Sequence, residues 1–506
     1  MSSKKRIGMS RQKYTNEEKE ILSSYFTNLH GNVFALKNLP EQVKGALFAR
    51  YSRTHKPLRR LFLDEFYSKA SMPPPPKTKH NRRAGEFYRR VFSEYGDDSI
   101  AQLCSAHVAV EDVSIVAAKE LQRSRLAAYL EKSTRYLDYS GDNFKCIASP
   151  YSGRSELPWY LAKRAYELAL EHGVSFDDAR GALPLATATS FGIHANGQTF
   201  ERMVNRHSVT PNWEVNAIAR KICTAVTKIM PDIMMDSDVS AWKHKQWYNY
   251  YGERTKRMDE AKPRTGRGNL FPVVQSPSAQ LIAFGGHKDL FDTLIAYKYL
   301  HTDHKNTMRF FQNQYNDYTN KVHNNLVDAL FAGRKNRRHL PERMLETINA
   351  TFEIVSDYAT YRDLQRHRMV TIEAQPITAS LGYHTPLAIK SASPLVQAAW
   401  HDAMNSGINY YITKSESVDR YQQRAAPYTL NMATNVRYVI HANLRQWLYM
   451  IELRSAPGAH RTYMSIMQNI YRQLKATCFK QMGVGFNAEF YGGGEDETYD
   501  EWEFHI

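Results

Sequence analysis

The chain has 506 residues, 42% hydrophobic and 23% charged, which describes a globular protein of two domains plus extensions and excludes a disordered one. No run of eighteen apolar residues predicts a membrane span, and the charged N-terminus lacks the apolar stretch of a secretory signal. Cys104, Cys146, Cys223 and Cys478 form no CxxC pair and the nineteen histidines show no HExxH spacing, so a cytoplasmic protein without disulfides or a metal site is expected.

Residues 1–75 read as a helical N-terminal extension. Met1–Lys13 is a basic arm, and Asn16–Phe26 and Leu39–Tyr67 have helical apolar spacing on either side of a turn at Gly31 and Asn32. Pro73 to Pro76 forms a stiff linker. A first repeat is expected over 80–250, with helices at Phe87–Tyr95, Leu121–Leu137 and Leu157–Glu171 and a strand around Ala186–Thr189. The polar, glycine- and proline-bearing stretch 252–280 reads as a linker. A second repeat covers 281–490, with helical pattern at Leu290–Leu300, Met308–Phe331 and Glu342–Gln365. Residues 491–506 form an acidic tail.

The net charge of +16 fits either nucleic-acid binding or the collection of phosphorylated small molecules. No helix-turn-helix, zinc-finger or RNP pattern is present, so nucleic acid is the less favoured of the two. Guanidinium groups gather in Glu120–Tyr139, ELQRSRLAAYLEKSTRYLDY, where Arg123, Arg125 and Arg135 accompany Ser133 and Glu131. Planar, permanently charged forks beside a hydroxyl suit a phosphate. The bland alternative is a basic helix with solvated arginines. The pattern L-Q-R-x-R recurs at Leu364–Arg368, with Arg366 lying 243 residues after Arg123. That separation indicates duplication of a whole domain rather than a solenoid.

The segment RSRLAAYLEKSTRY resembles the flavin-dependent thymidylate synthase signature RHRxxSxNxxSxR. Arg123, Arg125, Ser133 and Arg135 match, while Ser124, Ala128 and Leu130 depart. Gly96–Leu121 resembles the family's lead-in, with Ser99, Glu111, Val113 and Ser114 in register, Leu103 in place of a histidine and Glu120 in place of a glutamine. Ala179, Arg180, Leu183 and Pro184 match ARxxLP, and Asn196 follows at the family's spacing. The substrate arginine expected eleven residues later is His207, preceded by Arg206. In the second repeat Arg366, His367 and Arg368 match, whereas Ala374, Pro376 and Thr378 replace the signature's tail. Asn443, Leu444, Arg445, Leu453 and Arg454 match the family's C-terminal helix, and Tyr449 departs. Arg424 and Pro427 weakly resemble ARxxLP.

The resemblance implies an α+β fold, each tandem repeat packing helices around an antiparallel sheet. It implies conversion of dUMP to dTMP with FAD, NADPH and methylenetetrahydrofolate. By the same resemblance Arg123, Glu131, Ser133, Arg135 and Arg180 would bind the substrate. Arg125, Asn196, Arg366, His367, Arg368, Asn443 and Arg445 would bind the flavin. Arg454 would lie against the uracil. The two repeats retain complementary parts of the signature, so a site shared between repeats in a homodimer is expected. The alternatives are a family member acting on another pyrimidine nucleotide and a non-catalytic nucleotide or nucleic-acid binding protein on the same fold.

Overall fold

A computed structural model describes residues 14–67, 98–147, 156–234, 242–261, 277–286, 288–299, 307–315, 329, 331, 337–456 and 458–479. The expected helix Phe87–Tyr95, the basic arm to Lys13, the proline run and the acidic tail lie outside these residues. The chain divides into two compact units. One comprises Met1–Phe271 with Leu387–Asn431, and the other Pro272–Pro386 with Met432–Ile506.

Each unit holds one four-stranded antiparallel sheet, and the two sheets share one strand order. In the first unit β1 (Val33–Leu36), β2 (Ser105–Ser114), β3 (Ala127–Glu131) and β4 (Ala188–Asn196) are arranged β1-β2-β4-β3. In the second, β5 (Ser278–Gly285), β6 (Asn349–Asp357), β7 (Thr371–Ala374) and β8 (Asn435–Asn443) are arranged β5-β6-β8-β7. The register repeats as well. Ser105 pairs with Asn196 and Ser114 with Ala188, as Asn349 pairs with Asn443 and Asp357 with Asn435. Two α+β repeats, as expected, are therefore present.

The same helices recur around the two sheets. Strand β2 leads into α1 (Ile115–Leu121), whose first turn is capped by Ser114 Oγ accepting from Ala117 N. Strand β6 leads into α2 (Tyr358–Leu364), capped by Asp357, which accepts from Thr360 N at 2.8 Å. Strand β4 runs into α3 (Gly197–His207) and β8 into α4 (Leu444–Arg454). Asn196 and Asn443 are the N-caps, each Oδ1 accepting a backbone N–H three residues on, at 2.9 Å.

The first sheet is covered on both faces. Along β1, Val33 and Ala35 enter one apolar cluster with Val108, Val110, Ile193, Phe200 and Ile222, while Phe34 and Leu36 enter another with Phe48, Tyr51, Leu58 and Phe62. A strand buried on both faces shows no polar alternation, and β1 is absent from the sequence reading for that reason. The N-terminal segment is therefore not purely helical. Its long expected helix is broken into Glu41–Tyr51, Leu58–Leu61 and Phe62–Phe66.

Three further expectations change. Leu121–Leu137 is not a helix: α1 ends at Leu121, a turn carries Arg123 and Arg125, and β3 begins at Ala127. Glu342–Gln365 is not one helix but a 3-10 turn at Arg343–Thr347, then β6, then α2. Pairing with β4 and β8 outweighs the helical propensity of these alanine-, leucine- and glutamate-bearing runs. The linker expected from residue 252 begins inside α5 (Trp242–Glu260) and ends in β5. Among the described residues no helix is long and apolar enough to cross a membrane.

Candidate nucleotide site

In both sheets the arginine turn and the far end of the asparagine-capped helix lie together. The helix starts at the Asn196 or Asn443 end of its sheet. Its last residue lies beside the turn that follows α1 or α2. In the second unit this brings Arg454 to His367. Arg454 Nε donates to His367 Nε2 at 3.0 Å and Nη2 donates to the Asp363 carbonyl at 2.8 Å, with the guanidinium 5.4 Å from the Tyr463 ring centroid. His367 is 6% exposed, while Arg366 and Arg368 on either side of it are exposed. Burial, then the charges of Arg454 and Arg366, push the His367 pKa down to about 3, so the imidazole is neutral.

In the first unit the histidine has changed sides. His207 occupies the helix end and Ser124 the turn. His207 is 2% exposed, and burial, Arg206 and Arg123 lower its pKa to about 3. Its Nδ1 has no hydrogen-bond partner among the described residues and lies 4.0 Å from Glu120 Oε1. Glu120 also sits 3.8 Å from Arg123 Nη1.

The remaining expected substrate residues fall into two groups. Arg135 makes a two-pronged ion pair with Asp177, Nε to Oδ1 and Nη2 to Oδ2 both at 2.6 Å. Arg180 Nε lies 3.7 Å from the same carboxylate, so Asp177 gathers Arg135 and Arg180. Ser133 Oγ accepts from Arg135 N at 3.2 Å and shapes this loop. Glu131 is elsewhere, at the buried end of β3. Lys119 Nζ lies 2.6 Å from it, Gln122 donates to it at 3.2 Å, and Thr189 Oγ1 donates to its other oxygen at 3.2 Å.

Asn196, Asn443 and Arg445 stand at the sheet end where the strand leaving each arginine turn begins, Ala127 pairing with Ala195 and Thr371 with His441. Arg445 precedes Arg454 by nine residues of helix, roughly 13 Å along the axis. Arg445 donates to the Pro341 carbonyl at 2.9 Å and to Glu346 at 3.0 Å. Arg125 is exposed on the first unit's turn.

The first unit also contains a cavity of about 870 Å³ at the His207 end of α3. Glu120, Arg206 and His207 form one wall. Trp213, Asn216 and Arg220 come from α6 (Trp213–Thr227), and Tyr248, Tyr251 and Arg254 from α5, with Arg424 completing it. Sequence reasoning named Arg206, Glu120 and Arg424 only as departures or weak matches, and missed Arg220, Tyr248, Tyr251, Arg254 and Asp177. The available signal was the aromatic and basic interleaving of YNYYGERTKR, Tyr248–Arg257, which had been assigned in part to a linker.

Comparisons with known proteins agree with this doubled architecture. The model of the family "Thymidylate synthase complementing protein" matches residues 46–232 and again 294–478. A UPF0159 protein of Chlamydia pneumoniae is 29% identical, covering 92% of this chain and 93% of that one. A UPF0159 protein of Thermoplasma acidophilum is 26% identical, covering 86% of this chain and 92% of that one. The flavin-dependent thymidylate synthase of Geobacter sulfurreducens is 27% identical over 28% of this chain and 65% of its own. Among solved structures, thymidylate synthase X of Helicobacter pylori with FAD and dUMP aligns to 41% of this chain and 98% of that one, at 16% identity and a TM-score of 0.29. Matched twice, over most of its length, the chain belongs to the thymidylate synthase complementing protein family as a diverged tandem duplication.

Proposed function

We propose that this protein is a flavin-dependent pyrimidine nucleotide methyltransferase, converting dUMP to dTMP with methylenetetrahydrofolate and NADPH. The observation that supports this best is the contact of Arg454 with His367, which aims a fixed guanidinium from the end of a capped helix at the arginine turn. The likeness to the Geobacter flavin-dependent thymidylate synthase supports the same chemistry.

Arg135 and Arg180, already drawn together by Asp177, hold the nucleotide phosphate, with Ser133 shaping the loop between them and β3. Arg123 serves the same anion. Arg454 presents N–H donors to a uracil carbonyl, stabilising the negative charge that gathers on the ring as carbon 5 reacts. The neutral His367 accepts from Arg454 and fixes its plane. Glu131, held by Lys119, anchors β3 beneath the phosphate loop.

The residues present fit a flavin dinucleotide at one place: the exposed Arg366 and Arg368, two forks suited to a diphosphate. Bound there, the flavin supplies the one-carbon and hydride transfers that no side chain can perform. Asn443, Arg445 and Asn196, at the starts of the capped helices, contact a different part of a ligand from Arg454, at the far end of one. The active form is proposed to be a homodimer.

The test is release of tritium from 5-tritiated dUMP. Release that requires both NADPH and methylenetetrahydrofolate, from a yellow protein, is expected. A yellow protein inactive on dUMP would move the substrate to another pyrimidine nucleotide, a reading favoured by His207 and Glu120. A colourless protein that binds nucleotide without turnover would leave a binding protein.

A further inference from the structure

Helix α5 begins after residue 232, where the first family match ends, and stops before residue 294, where the second begins, so the repeated fold does not require it. Among its described side chains from Lys245 to Glu260 none is buried, and only Trp247 and Tyr251 are half-buried. Those two rings stack with centroids 5.5 Å apart, and the Arg254 guanidinium lies 4.6 Å from the Tyr251 centroid. This ladder stiffens one side of the helix. The other sides have no packing role.

Lys245, Tyr248, Gly252 and Lys256 form a second row, at helical spacings that bring them to one side, roughly 16 Å from end to end. Tyr248 is 62% exposed, and it lines the first unit's cavity together with Gly252, Arg220 of α6 and Arg424. Lys245, Lys256, Arg220 and Arg424 are exposed and make no ion pair among the described residues. Glu253 is engaged elsewhere, 3.9 Å from Arg257. Gly252 is the least expected member, because glycine inside a helix weakens it relative to alanine. A Cβ there would meet nothing within 4 Å, and its φ is not positive, so neither packing nor backbone conformation calls for glycine. A bare backbone between Tyr248 and Lys256 leaves room for a ligand to lie directly on the helix.

A row of cations this long outruns a mononucleotide and matches successive phosphates of a strand. An exposed tyrosine face stacks on an unpaired base of any identity, which a duplex does not offer. Lysines and a ring face select neither a base edge nor a sugar. We infer that Lys245, Tyr248, Gly252 and Lys256 of α5, with Arg220 and Arg424, bind single-stranded nucleic acid without sequence preference, the phosphates on the cations and a base on Tyr248. The surface is separate from the methylation proposed above and does not depend on it.

Fluorescence anisotropy of the full-length protein with a labelled oligouridine strand of about fifteen nucleotides tests this. The strand binds, its deoxyribose counterpart binds within about threefold, and a duplex of the same length binds at least about tenfold more weakly. Affinity falls with salt, with a logarithmic slope of about −3 for four phosphate contacts, and Lys245→Gln combined with Lys256→Gln brings the slope to about −1.5. Tyr248→Leu weakens binding about tenfold while Tyr248→Phe changes it less than about twofold. Gly252→Leu also weakens it about tenfold, although leucine is the better helix former and circular dichroism shows no loss of helix. Absence of strand binding, equal or tighter binding of the duplex, a slope unmoved by the lysine pair, or affinity unchanged in Tyr248→Leu or in Gly252→Leu overturns the assignment. Displacement of the strand by polyglutamate at equal charge concentration also overturns it, in favour of an acidic protein partner. Tritium release from dUMP is read separately, so either proposal can fail while the other stands.

Discussion

Arg454 Nε donates to Nε2 of His367 at 3.0 Å, which obliges the imidazole to accept there and to carry its single proton on Nδ1. Arg454 is thereby fixed by a neutral partner rather than neutralised by an acid, and its full positive charge stays available to a ligand. Replacing Arg454 by lysine keeps the charge but loses the planar fork. Arg454→Lys should weaken dUMP binding about tenfold, equivalent to about 1.4 kcal/mol, with little change in folding. Calorimetric titration with dUMP, alongside urea denaturation of the variant, checks both parts.

Two buried neutral histidines, His207 and His367, give stability a defined acid dependence. Both have folded pKa values lowered to about 3, chiefly by burial, against an ordinary value of about 6.5. Above that ordinary value both states are neutral and the histidines contribute nothing to the slope. Below it the unfolded chain takes up protons that the folded chain refuses, so stability falls as pH falls. Each histidine should cost roughly 2 kcal/mol between pH 6.5 and pH 5. Urea unfolding at the two pH values measures the loss, and His367→Gln should remove about half of it.

Asp177 is the acid that holds Arg135 and Arg180 together, and it competes with any phosphate for them. Asp177→Asn should tighten nucleoside monophosphate binding severalfold while lowering stability by about 1–2 kcal/mol. Arg135→Ala should abolish most of that binding. Affinities from equilibrium dialysis, set beside melting curves, separate the two effects.

Lys119 and Glu131 form a buried ion pair at 2.6 Å, both side chains under a tenth exposed. Removing either partner strands a charge in the interior. Lys119→Met or Glu131→Leu alone should cost about 3–5 kcal/mol, while the double variant should recover most of the loss. A double-mutant cycle in denaturant decides it.

Gly192 lies on β4 where a Cβ would stand 2.5 Å from Cδ1 of Phe48, whose ring stacks on His107. Gly192→Ala should destabilise the first unit by about 1–3 kcal/mol, and Phe48→Leu in the same chain should relieve part of it. Thermal melts of the single and double variants read this directly.

The duplication was legible because its markers are local. L-Q-R-x-R recurs at a whole-domain interval, and Asn196 and Asn443 announce helix starts by cap chemistry that a sequence displays. The strand at Ala127–Glu131 was not legible. Its alanines and leucine favour a helix in isolation, and only pairing with Phe191–Ala195 makes it a strand. Strand β6 misled for the same reason. In the candidate site the turn residues were readable, but Asp177 and Arg220 carry no motif. They matter through a fold that places them beside residues distant in sequence.

The residues Leu387–Asn431 belong to the first unit although the second repeat encodes them. Asn431 Nδ2 donates to the Ala182 carbonyl and Tyr428 OH donates to Glu214, both well inside that unit. The polypeptide therefore passes between units three times, at 271, 386 and 431. A gene cut once near its middle would leave the second fragment with all of its own unit, Pro272–Pro386 with Met432–Ile506, and the first without Leu387–Asn431. In a split version of this protein the first unit should fold only when the second fragment, which carries Leu387–Asn431, is made with it.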